Sequence, residues 1–367
     1  MFIVAHNGAP EWGGAERATT LLLAGLAERG HRVLLLCNRP EVVERARGLG
    51  VPAERLALGG DAALPGALRL ALRLRRLRPD AFVVGTFRKL WLAGLGARLA
   101  GVPRVVARVG LETHTPRRWK YRLALDGCVD VVVVTAGRMR APFLELPGWT
   151  EERVAAVHNA VHPPVRTAPP GSLRRSLGIA PEARVVAAVA RLVSQKRLDR
   201  LLRAVALLDG DVHCVLAGEG RRRAELEALA GELGIAARVH FLGFRADVGD
   251  VLDAADVVAL TSDLEGMSNA MLEALMAGVP VVSTAVSGAD EALDPLPDGR
   301  RPGRVVGFDP GEVAAALREV LVDPERRAAM SAAARERAEE RFGFAPMLDR
   351  WEAVLAGGAG RRNGARR

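Results

Sequence analysis

DVVALTSDLEGMSNAMLEALMAGVPVVST, Asp256 to Thr284, contains two strands and the helix between them. DVVALTS is a short aliphatic run with β-branched residues and reads as a buried strand. SNAMLEALMAG carries a helical pattern that Gly278 and Pro280 terminate, and PVVST is the next strand. Strand, crossover helix and strand in so short a span imply a parallel pair inside an α/β sheet. Glu265 falls in the loop at the carboxyl end of the first strand, and Ser268 or Asn269 falls at the helix N-cap. Glu273 lies about one turn inside the helix. The residues allow two readings. Glu265 caps the helix while Glu273 is solvated, or both carboxylates face one extended ligand. The positive helix end and the amides of Met267 to Ala270 suit an anion there.

The same alternation runs outward in both directions. FIVAH, HRVLLLCN, DAFVVGT, PRVVARVG and DVVVVTA read as strands, with helices in AERATTLLLAGLAERG, ALRLALRLRRLRP, KLWLAGLGARLAG and WKYRLALDGC. HNAVHPPVRTAPPGS, His158 to Ser172, is too rich in proline for a helix or central strand and reads as a linker. Strands ARVVAAVARL, DVHCVLAG and ARVHFLG then alternate with helices KRLDRLLRAVALL, RRRAELEALAGELG and VGDVLDAA, and the chain after Gly311 is helical. The fold class is α/β, with two doubly wound Rossmann-like domains expected to face a cleft. Their spans are 1–160 and 161–344. GGAGRRNGARR, ending at 367, is Gly- and Arg-rich, and 358–367 reads as a disordered basic tail.

Composition bounds the function. A chain of 367 residues is long for one core. Aromatics are only 4%, which argues against a stacking platform for single-stranded nucleic acid. The net charge of +9 favours anionic partners. Cys37, Cys128 and Cys214 are too few and too scattered for a disulfide framework or a metal site, and read as buried reduced thiols of a cytoplasmic protein. MFIVAHNGAPEWGG enters a short strand at once, so no signal peptide is expected, and no apolar run reaches membrane-spanning length.

Two further loops follow strands. In RLVSQKRLD, Arg191 and Lys196 are placed to clamp a pyrophosphate, or else are ordinary surface charge. In GAPEWGGAERA, Gly13 and Gly14 permit close backbone approach to a ligand, or form a plain turn. This is not a GxGxxG fingerprint, and no acidic residue ends LLLCN, so a nicotinamide cofactor is disfavoured.

EGMSNAMLE matches the E-x7-E signature of retaining glycosyltransferases of family 4, which have the GT-B fold. The resemblance extends over nearly the whole chain. GGAERATTLLLAGLAERGH resembles the family's glycine loop and first helix, and VHNAV its hinge. ARLVSQKRLD resembles its phosphate loop, and DPERRAAMSAAARERAEERF its C-terminal helix. By resemblance the last helix, about 345–357, crosses back onto the first domain.

The resemblance implies roles. Glu273 holds the ribose hydroxyls of a nucleoside-diphosphate sugar, and Glu265 touches the transferred sugar. Arg191 and Lys196 neutralise the leaving diphosphate. Gly266, Met267, Ser268, Asn269 and Ala270, with Gly13 and Gly14, complete the anion site. Gly218, Phe244 and Arg245 frame the base. No metal and no cofactor are expected, because the family is thought to use front-face attack assisted by the leaving phosphate. Consistent with that, there is no Asp-x-Asp motif and no histidine cluster.

The sequence departs from the family at Val109–Leu111, where relatives carry a His-Gly pair. His6, Arg108 and His114 are candidate acceptor residues, as are the basic Arg117, Arg118 and Lys120 of TPRRWKYR. That segment either lies on anionic lipid or is a solvated basic helix. Its likeness to cell-envelope saccharide transferases suggests a lipid-linked acceptor and peripheral contact with the inner face of the membrane. Two other classes compete. One is a nucleotide-sugar epimerase of the same fold, and the other a non-catalytic two-domain binding protein. Nucleic acid is not an expected partner.

Overall fold

The computed structural model describes residues 1–9, 12–60, 63–112 and 119–357. The tail 358–367 and the candidate acceptor residues His114, Arg117 and Arg118 lie outside the described residues. Two compact units are present, one of Met1–Asn159 with the segment starting at Phe344, the other of Ala160–Gly343.

The first unit begins β1 (Phe2–Asn7), α1 (Gly14–Glu28), β2 (Arg32–Cys37), α2 (Pro40–Gly48), β3 (Ala53–Arg55) and α3 (Leu64–Leu77). It continues β4 (Ala81–Val84), α4 (Leu90–Leu99), β5 (Arg104–Val109), α5 (Trp119–Cys128), β6 (Val131–Val134), α6 (Ala141–Leu144) and β7 (Val154–Ala156). Its seven strands are parallel, in the order β3-β2-β1-β4-β5-β6-β7. Central strands are aliphatic throughout because helices cover both faces, and Val131 to Val134 are all buried.

The second unit runs α7 (Ser172–Ser176), β8 (Arg184–Val189), α8 (Leu198–Ala206), β9 (Val212–Ala217), α9 (Arg223–Glu232), β10 (Val239–Gly243) and α10 (Val248–Ala254). It goes on through β11 (Val257–Leu260), α11 (Asn269–Ala277), β12 (Val281–Thr284), α12 (Ala289–Leu293), β13 (Gly303–Val306), α13 (Pro310–Val322) and α14 (Pro324–Arg341). Six parallel strands follow the order β10-β9-β8-β11-β12-β13. Asp309 and Asp323 accept backbone N–H bonds as N-caps of α13 and α14, each followed by proline, which fixes where these helices start.

The proline-rich stretch from His158 forms no strand and no helix before Ser172, but it is not a slack tether. Thr167 donates through its backbone N–H and its hydroxyl to Asp250 at 2.8 and 2.6 Å, and Gly171 N–H donates to Asp253. A Cβ on Gly249 would stand 2.3 Å from the Val165 carbonyl, so α10 can receive this stretch only at a glycine.

The last helix, α15 (Phe344–Ala356), belongs to the first unit. Met347, Leu348, Trp351 and Leu355 are buried, and Leu348 packs on Gly25 of α1. Arg29 pairs with Asp349 and Glu352, and Arg104 donates to the Val354 carbonyl at 2.7 Å.

Candidate active site

In each sheet the strand order reverses once, between β1 and β4 in the first unit and between β8 and β11 in the second. Loops leaving the carboxyl ends of strands at such a reversal diverge and leave room for a ligand. In the second unit those loops are Ala190–Arg197 and Thr261–Ser268, which carry Lys196 and Glu265.

The two loops are tied together. Gln195 donates to the Leu264 carbonyl at 2.7 Å, Asp263 N–H to the Gln195 carbonyl, and the Thr261 hydroxyl to the Arg197 carbonyl. Lys196 Nζ pairs with Glu265 Oε1, and the Ser262 hydroxyl donates to the same oxygen at 2.7 Å. Glu265 is only 7% exposed. Its Oε2 makes no hydrogen bond among the described residues. Glu265 is therefore held by a cation and a hydroxyl and does not cap α11, whose N-cap Ser268 also makes no side-chain cap bond. Glu273 is buried at 5% exposure, which rules out a solvated helix face.

The other charges nearby are committed elsewhere. Burial alone would raise the Asp263 carboxyl, but the Arg200 and Arg197 guanidiniums pull it below the ordinary range. Burial opposes Asp199 likewise, and Arg197 and Arg222 lower it. These pairings leave Lys196 to Glu265. Arg191 is exposed and its guanidinium has no hydrogen-bond or ion-pair partner among the described residues, so it is available to an anion at the same strand end.

Glycines close the frame around the loops. Gly218 has φ +146°, and a Cβ there would lie 1.9 Å from the Ala190 carbonyl, so the turn after β9 lies flat on the loop after β8. Gly288 has φ +79°, and its Cβ would meet the Gly266 carbonyl at 2.7 Å. This brings the turn before α12 against EGMSN. The Thr284 hydroxyl donates to the Ser262 carbonyl at 2.7 Å from the third side. Phe244 stands 60% exposed after β10, and Arg245 beside it pairs with Asp247.

Gly13 is the N-cap of α1 in the first unit and Gly14 its first residue. The acceptor candidates there lie deeper than their positions in the sequence suggest. His6 is fully buried and its Nε2 lies 3.1 Å from the Leu56 carbonyl. Desolvation lowers its pKa to about 4, the Leu56 bond opposes this, and Lys89 adds to it. Arg108 is 3% exposed and donates to Asn159 Oδ1 at 2.7 Å. Burial pushes it down to about 10 against the pull of Glu16. Lys120 on α5 lies 5.2 Å from the Tyr121 ring centroid.

Sequence reasoning missed Ser262, Thr261 and Thr284, which position the EGMSN loop. Ser262 carried a usable signal as a hydroxyl at a strand end three residues before Glu265.

Residues 12–164 match Glycosyltransferase Family 4, and residues 171–337 match Glycosyl transferases group 1. The 2-deoxystreptamine glucosyltransferase of Streptomyces kanamyceticus is 30% identical over 308 residues, which cover 76% of this chain and 78% of that one. The chain belongs to glycosyltransferase family 4. A D-inositol 3-phosphate glycosyltransferase of Mycolicibacterium gilvum is 40% identical over 249 residues, 64% of this chain and 55% of that protein. The chain thus spans about half the length of curated relatives such as this one. Among solved structures, Anabaena HepE in complex with UDP has a TM-score of 0.84 at 22% identity, covering 97% of this chain and 99% of that one. A glycosyltransferase from Rickettsia africae has a TM-score of 0.83 at 16% identity, with the same coverage. These structures establish the fold as GT-B. Within this family-4 chain, no helix among the described residues is long and apolar enough to cross a membrane.

Proposed function

We propose that the protein is a retaining glycosyltransferase that moves a hexosyl group from a nucleoside-diphosphate sugar to an acceptor. The observation that carries this reading is the Lys196–Glu265 pair at the sheet reversal of the second unit, with the N-terminal turn of α11 following it. A diphosphate is the ligand such a site suits, since Lys196, Arg191 and the helix end together offer positive charge where a leaving phosphate develops negative charge. Lys196 then exchanges Glu265 for phosphate oxygen, and Glu265 turns to the hydroxyls of the transferred sugar. Glu273 takes the ribose. Gly218, Phe244 and Arg245 border the base. The reading draws support from HepE structures in complex with UDP and with UDP-glucose, and from a GDP-mannose-dependent relative in Corynebacterium glutamicum. A saccharide acceptor, lipid-linked or of the cell envelope, is the partner we infer on the first unit.

No metal ion enters this scheme, because protein cations carry the charge. Donor turnover is measured with UDP- and GDP-sugars in EDTA. Glu265→Ala is expected to remain folded, with a lower unfolding midpoint because Lys196 loses its partner, and to lose about 100- to 1,000-fold in kcat, the scale of one well-placed electrostatic contact. Undiminished turnover by that variant removes the assignment.

A further inference from the structure

Two described residues other than glycine have a left-handed backbone, Arg78 and Arg197. Arg78 closes α3, and a left-handed residue is a common way to end a helix. Arg197 stands at the opposite kind of place. With φ +47° and ψ +45° it is the N-cap of α8, a position that usually takes extended backbone. In the second unit α7 and α12 also start from a left-handed residue, and both use glycine, Gly171 and Gly288. An arginine there carries a steric cost that glycine does not, so the surroundings must hold it in place.

They hold it from two sides. The Lys196 and Arg197 carbonyls both accept from the Thr261 hydroxyl, at 3.3 and 2.9 Å, so the peptides before and after Arg197 share one donor. On the other side the Arg197 guanidinium bridges two carboxylates. It donates to Asp199 and to Asp263, each at 3.0 Å. Each carboxylate binds a second arginine. Arg222, just before α9, reaches Asp199 at 3.1 Å, and Arg200 reaches Asp263 at 2.7 Å. One side chain therefore joins the loops that leave β9, β8 and β11, which are neighbours in the sheet.

This guanidinium is already committed to the protein and is not the anion ligand. The residue before it is Lys196, the last residue of a 3-10 turn, Ser194–Lys196. On the far side α8 is anchored by Leu198, Leu201 and Leu202, all buried. With α8 fixed, the backbone of Arg197 sets the direction in which the 3-10 turn departs. An extended or right-handed residue there would swing that turn and carry Lys196 Nζ away from Glu265, with which it pairs.

We propose that Arg197 is a positioning residue, whose left-handed backbone, locked by Asp199 and Asp263, aims Lys196 at the leaving diphosphate. The role rests on Lys196 meeting that diphosphate, as in the proposed function. Arg197→Gly, Arg197→Asn and Arg197→Val all remove the guanidinium but differ in backbone. Glycine adopts the left-handed region freely, asparagine tolerates it, and valine is excluded from it. kcat and donor KM are measured for each with the donor that wild type turns over, beside Lys196→Ala, and the thermal midpoint checks the fold. The glycine variant is expected to exceed the valine variant at least about tenfold in kcat, with asparagine between them and donor KM changing less than kcat. A latch that is only structural lowers all three midpoints alike and gives no such order. Equal kcat in the glycine and valine variants, high or low, overturns the aiming role. If the valine variant does not fold, equality of glycine and asparagine does the same. Undiminished turnover by Lys196→Ala removes the diphosphate reading and this role with it. A loss in Lys196→Ala beside equal glycine and valine variants sinks the aiming role alone.

Discussion

At the scale of single residues the two sheet reversals have opposite characters. Glu265 sits where a carboxylate can exchange partners, whereas His6 is sealed in. Its Nε2–H donates to the Leu56 carbonyl, and its Nδ1 is buried without a partner among the described residues. A histidine held at a pKa of about 4 by burial takes up its proton more readily in the unfolded chain, where the value is ordinary. Its contribution is fully present above pH 6.5 and is lost as pH falls towards 4, about 2 kcal/mol by pH 5 and roughly 3 kcal/mol in full. The urea midpoint of wild type between pH 7 and 5 is therefore expected to fall more steeply than that of His6→Gln. Parallel pH dependences in the two proteins would contradict this.

Elements decide how the site is framed. Gly288 allows the turn before α12 to touch the EGMSN loop, and alanine there adds both a left-handed strain and an overlap with the Gly266 carbonyl. Calorimetry with the nucleoside diphosphate that wild type binds, UDP or GDP, is expected to show Gly288→Ala weakened about tenfold, or ~1.4 kcal/mol, while the protein remains folded. Unaltered affinity would mean that the loop does not need that turn.

Much of this framing was legible in the sequence. The run Asp256 to Thr284 reads correctly as strand, loop, helix and strand, because Gly278 and Pro280 punctuate it and its valines mark buried strands. Three strands were not legible for a common reason. β3, β7 and β13 are short, and each is an edge strand of its sheet. AER and GRVV carry polar residues, so no apolar run announces them. The pairing of Lys196 with Glu265 was also hidden. The two are 69 residues apart and meet only because β8 and β11 are neighbours. The burial of His6 and Arg108 escaped notice because both sit at the ends of strands, where spacing alone does not tell an interior position from an open one.

Across the whole molecule, α15 returns to the first unit after the second has been completed. Its exposed pairs with Arg29 add little. Trp351, at 2% exposure, is the anchor. Trp351→Ala is expected to cost about 3–5 kcal/mol, seen as a lower denaturant midpoint in a chain whose Lys196 and Glu265 loops are untouched. An unchanged midpoint would show that α15 is an ornament on the unit.

The return of α15 also sets a timetable. On the ribosome, the unit that is made first must wait for its closing helix while all of Ala160–Gly343 is synthesised. At ~5–20 residues per second this interval is on the order of ten to forty seconds. Throughout it the apolar side of α1 around Gly25 lacks its cover, so the nascent chain offers a chaperone a transient landing place that the finished protein has closed.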